Sequence, residues 1–183
     1  MKTSLKLGLI TLILFGAGGW ILIEYVQQKS VVQVLNTGKS FPVQIIAGLV
    51  AGLGASAIAI WIISLKFFDA ERDFYHGLIG RWKLNFSEMI FISWCAGIGE
   101  ELFFRGGVQP LLGNWWTSIL FVLLHGYLNP RNWRISIYGA VMVGIIYGFG
   151  SLFEHIGIVS AMVAHAVLDI ALFGYMARLD RKD

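Results

Sequence analysis

Long apolar runs alternate with short polar breaks along the chain, at the spacing of membrane-crossing helices. Residues 7–23 form the first run, behind Lys2 and Lys6. A basic start and an apolar stretch also mark a cleavable signal peptide. This run continues past Gly16-Ala17-Gly18-Gly19 through Trp20-Ile21-Leu22-Ile23, long enough to span, so a retained first helix is expected. A polar segment, 24–40, leads to a second run at 41–65. There Gly48, Gly52, Ala55, Ser56 and Ala59 recur near a four-residue spacing, which gives one face room for a close neighbouring helix. The most charged loop follows, with Lys66, Asp69, Glu71, Arg72, Asp73, His76, Arg81 and Lys83. The third run starts near Phe86 and ends in Glu100-Glu101, with Gly106, Gly107 and Pro110 marking the turn beyond. A short fourth run covers 115–128, then Asn129-Pro130-Arg131-Asn132 turns the chain. The fifth covers 135–153 and the sixth 156–176. The pattern predicts an all-α, polytopic membrane helix bundle of about six transmembrane helices, one integral-membrane domain over 1–183.

Composition agrees. Of 183 residues, 57% are hydrophobic and 14% charged, against about 45–50% and about 25% in an average soluble domain. Mean hydropathy is +0.71. The formal charge of +3 is spread over loops with no basic stripe, which argues against a nucleic-acid partner and for membrane lipids. With six spans, one side collects Lys2, Lys6, Lys66, Arg72, Arg81, Lys83, Arg131, Arg134, Arg178, Arg181 and Lys182, and the other Lys29, Lys39 and Arg105. Basic residues favour the cytoplasmic side, so both termini are expected in the cytoplasm of a multi-pass cell (plasma) membrane protein. The lone Cys95 reads as a small core filler.

Charge inside the apolar runs is costly, about 2.5–3.5 kcal/mol for a residue at mid-helix on insertion scales. Three places carry it. In Gly99-Glu100-Glu101-Leu102-Phe103-Phe104-Arg105, Glu101 and Arg105 share a helix face and can pair. Glu100 points about 100° away and is left for chemistry. Phe121-x-x-x-His125 closes the fourth run, and His165-x-x-x-Asp169 sets two polar groups on one face of the sixth. A carboxylate beside a neutral imidazole can hold and deprotonate a water, and a second imidazole with a polar partner can donate to a developing oxyanion. Glu100, His125 and His165 could instead ligate zinc with an open position. Two expectations follow. Glu100, rather than Glu101, should face both histidines. Straight helices would place Glu100, about 21 Å deep, and His125 at different depths.

In order and spacing, these three motifs resemble those of the CPBP family of intramembrane proteases (CAAX-protease and bacteriocin-processing, or Abi, family), which includes the Rce1-type prenyl-protein endopeptidases. The resemblance covers a protease-like core over 86–176. It implies an intramembrane endopeptidase in which Glu100 and His125 activate water and His165 and Asp169 form the oxyanion hole. Glu101, Arg105 and Phe121 would support the site, without a metal cofactor. Where the family has Asn or Asp, this chain has Asp169, a poor donor unless protonated. The implied substrate is a membrane-bound or lipidated peptide. A non-catalytic immunity or scaffold protein and a small proton-coupled transporter are the alternative readings of the same residues; no inverted repeat favours the latter.

Overall fold

The computed structural model describes residues 2–179, all helix and connection with no strand among them. The expected tail charges Arg181 and Lys182 lie outside the described residues. Helix α1 (Thr3–Ile21) runs on through a π turn at Leu22–Val26. The short α2 (Val31–Asn36) is followed by α3 (Phe41–Ile63), then α4 (Asp69–Gly80) within the charged loop. Next come α5 (Phe86–Glu101), a π-helical stretch Leu102–Val108, α6 (Gln109–Leu124), α7 (Trp133–His155) and α8 (Ile158–Leu179). Among the described residues, five helical segments are long and apolar enough to cross a membrane, against the six runs expected.

The difference lies in the third and fourth runs, which share the segment Phe86–Leu124. Gly113 breaks that segment with φ 77° and ψ 162°, a backbone conformation that glycine adopts without a Cβ penalty. Beyond it the chain doubles back. Asn114 bonds Tyr147 and Ser151 near the far end of α7, whereas Gly139, near its start, lies under the Tyr127 carbonyl. The returning leg, 114–124, is about 16 Å long, half of a hydrocarbon core of about 30 Å. It ends at Leu124, earlier than expected, in a Schellman turn: Tyr127 N–H bonds Val122 O, Gly126 N–H bonds Leu123 O, and Gly126 takes φ 77°.

Small residues set the bundle. Gly48 and Gly52 of α3 lie against Ser160, Val163, Ala164 and Val167 of α8, the close approach expected of that stripe. Gly8, Gly19 and Gly99 bring α1 and α5 together in parallel. Cys95 is buried in this region. Lys2 Nζ bonds Glu88 at 2.8 Å and Asn132 bonds Glu71 at 3.0 Å, which gathers the starts of α1, α4, α5 and α7 at one end. The described cations Lys2, Lys66, Lys83, Arg134 and the Arg178 end of α8 belong to this basic end.

Candidate active site

The last turn of α5 carries the acidic pair. Its two carboxylates diverge as a helix requires. Glu101 is fully buried; its Oε2 accepts from Arg105 Nε at 2.9 Å, and Arg105 is fully buried too. Two charges survive there because each meets a partner of opposite sign. Arg105 also reaches Gln109 Oε1 at 3.4 Å and sits over the Phe121 ring. Gln109 then donates to Gly150 O at 3.1 Å and Glu154 Oε1 at 2.8 Å, tying the hairpin to α7. Glu154 is thus the outer end of a buried polar chain.

Glu100 faces the other way, into a cavity of about 400 Å³. Its Oε2 lies 3.3 Å from His125 Nε2 and has no hydrogen-bond partner. The doubling-back at Gly113 removes the depth mismatch: a straight helix would separate these residues by about 37 Å. His125 caps the returning leg, and its Nδ1–H donates to Phe121 O at 2.7 Å, which leaves Nε2 as the nitrogen toward Glu100. Two acceptors therefore face each other, an arrangement that calls for a shared proton or a water donating to both. Phe121 is the platform beneath, stacked on the His125 ring at 4.3 Å and edge-on to His165 at 5.6 Å.

His165 differs from expectation. Its Nδ1 donates to Glu101 Oε1 at 2.9 Å, so Glu100 meets His125 alone and the second histidine belongs to the structural glutamate. The reason is the register of α8. One face of that helix abuts the buried side of α5, where Gly97 admits Met162 and Ala166, and His165 projects between them toward Glu101. Its Nε2 looks into the cavity, 3.6 Å from Asp169 Oδ2. Glu100, His125, His165 and Asp169 all line that cavity, which reaches to Ser4 and Trp82 at the basic end. No group of three His, Cys, Asp or Glu side chains among the described residues is placed to hold a metal. His125 and His165 each have one nitrogen bound to protein, and the zinc set Glu100, His125 and His165 does not converge.

Sequence reasoning restricted to ionisable groups missed the buried amides. Gln109 and Asn114 fasten the hairpin, and Gln27 donates to both Gly106 O and Gly107 O at 2.9 Å, carbonyls of the π-helical stretch. An uncharged amide inside an apolar run was the available signal. The other two histidines, His76 and His155, line no part of the cavity.

Residues 82–171 match the family described as type II CAAX prenyl endopeptidase, Rce1-like. This region of the chain is similar to the Rce1-like family. A curated relative, the uncharacterized protein YpbD of Bacillus subtilis (strain 168), is 30% identical over 100 residues, 54% of this chain and 50% of that protein. The matched stretch thus spans about half the length of that relative. No solved structure matches the chain. The family match holds α5, the hairpin, α7 and the site-bearing part of α8, and leaves out α1, α3 and α4.

Proposed function

We propose that this protein is an intramembrane endopeptidase that hydrolyses a peptide bond in a membrane-associated or lipidated substrate. The observation that carries the reading is the buried, unpartnered Glu100 Oε2 facing His125 Nε2 across 3.3 Å at the floor of a cavity. A water held between them loses a proton to the pair, and its oxygen attacks the substrate carbonyl carbon. His165, oriented through Nδ1 by Glu101, presents Nε2–H to the developing oxyanion, and Asp169 steers that ring. The proton held by Glu100 and His125 then passes to the leaving amine as the C–N bond breaks. The stretch 125–132 is non-helical beside this cavity, and within a bilayer such backbone is tolerated where it is buried in protein or lines water. That supplies the second reactant. This reading routes no step through a metal.

We assign the basic end of the bundle, with the start of α1 and the Arg178 end of α8, to the cytoplasmic side of the cell membrane, and the cavity reaches toward it. The family description makes a prenylated peptide ending in a CAAX box the first substrate to try. Purified protein in nanodiscs is expected to cleave such a peptide, with mass spectrometry reading the products. Glu100→Gln is expected to abolish cleavage while eluting and melting as wild type, and a chelator to leave the rate unchanged. Equal cleavage by Glu100→Gln would return the chain to the scaffold reading; loss of activity with chelator would restore zinc.

A further inference from the structure

The proposed reaction needs donors for an oxyanion, and the motif residues supply few. His165 Nδ1–H is committed to Glu101. Asp169, where an amide would donate, accepts when ionised. Peptide hydrolysis beside three carboxylates leaves a developing negative charge in unfavourable company unless a neutral donor stands close.

Tyr127 is placed to be that donor. It lines the cavity together with Glu100, His125, His165 and Asp169. The Schellman turn that ends the returning leg also fixes this residue, since its N–H is the one bonded to Val122 O at 3.3 Å. Gly139 lies directly under its carbonyl, where any Cβ would collide. Its ring runs parallel to His125 at 6.3 Å, edge-on to Tyr138 at 5.5 Å and tilted against Tyr75 at 5.8 Å. Backbone and ring are thus held, yet the hydroxyl makes no hydrogen bond to any described residue. Burial, then the neighbouring tyrosines and the Asp169 and Glu100 carboxylates, push this phenol well above its ordinary range, so it keeps its proton. A rigid, protonated, uncommitted O–H on a residue lining the cavity of the reacting groups has the property an oxyanion donor requires.

We infer that the Tyr127 hydroxyl donates a hydrogen bond to the scissile carbonyl oxygen and to the oxyanion that forms on it, as a catalytic residue additional to the three motifs. The inference rests on the endopeptidase reading. Tyr127→Phe keeps the ring and its three aromatic neighbours and removes only the O–H. With the prenylated CAAX peptide in nanodiscs, it is expected to lower kcat by about 100-fold, the loss typical of one oxyanion donor. KM and the thermal midpoint should stay at wild-type values. Wild-type kcat in Tyr127→Phe, on an enzyme that Glu100→Gln inactivates, overturns this assignment alone. So does a loss of kcat accompanied by an equal loss of folded protein, provided Tyr127→Leu behaves the same way. Cleavage that is absent from wild type, or undiminished in Glu100→Gln, removes the endopeptidase reading and the role of Tyr127 with it.

Discussion

Glu101 touches two cationic or donor partners and no solvent, and that explains why the adjacent carboxylates take different parts. Its charge is balanced by Arg105 at 2.9 Å and shared with His165 at 2.9 Å, whereas Glu100 meets only His125 and the cavity. Removing Arg105 would leave the buried Glu101 carboxylate with His165 alone, and taking one partner from a buried ion pair costs about 3–5 kcal/mol. Arg105→Met is therefore expected to lower the thermal midpoint in detergent sharply, and Arg105→Lys less, since the ammonium keeps the charge but not the fork that reaches Gln109. An unchanged midpoint in Arg105→Met would show that Glu101 is not held as an anion. At this scale much was legible. Residues four apart on one helix must share a face, so Glu101–Arg105 and His165–Asp169 could be read directly. The His165–Glu101 contact could not, because it depends on how α8 is rotated against α5, and both faces of α8 are apolar enough to pack.

Between Glu100 and His125 the chain departs from a regular helix twice, at the π-helical stretch Leu102–Val108 and at Gly113. A π turn widens the helix by one residue and frees backbone carbonyls that a bilayer cannot solvate. Gln27, from the end of the first segment, answers two of them at 2.9 Å. Losing both bonds leaves two buried acceptors unsatisfied, at about 1–3 kcal/mol each. Gln27→Ala is expected to destabilise the protein by that order and to lower kcat, because the same stretch carries Arg105; Gln27→Leu should do no better. Normal stability in both variants would show that the π turn needs no outside support. The apolar pattern predicted the two legs but placed the turn at Gly106-Gly107 and Pro110, which lie inside helix; the chain turns at Gly113, the one residue there with a non-helical backbone. It could not show that the second leg stops at Leu124, where the signal is the single Gly126 two residues on, nor that the charged loop folds as α4.

Over the whole molecule, the site is held by parts that the motifs do not mention. α1 lines the cavity with Ser4, Gly8 and Thr11, and α3 braces α8 through Gly48 and Gly52. Periodicity of small residues made a close neighbour of α3 readable in advance, since close-packed backbones use such a stripe; that the neighbour is α8 was not. The partner of α1 was not readable, because its glycines lie on more than one face.

The half-length leg, 114–124, has a consequence for the lipid around it. Leu123, Leu124, Trp115 and Trp116 are exposed, so acyl chains abut a wall only about 16 Å tall. The annulus there has to thin, or else the leg must tilt and drag His125 away from Glu100, and hydrophobic mismatch charges a fraction of a kcal/mol for each ångström. Membrane thickness then acts on the distance between the two groups proposed to share a water. Turnover in vesicles of short-chain phosphatidylcholine is expected to exceed that in long-chain phosphatidylcholine several-fold at equal substrate loading. A rate indifferent to chain length would mean that protein contacts alone, Gln109 and Asn114 on α7, keep the leg in place.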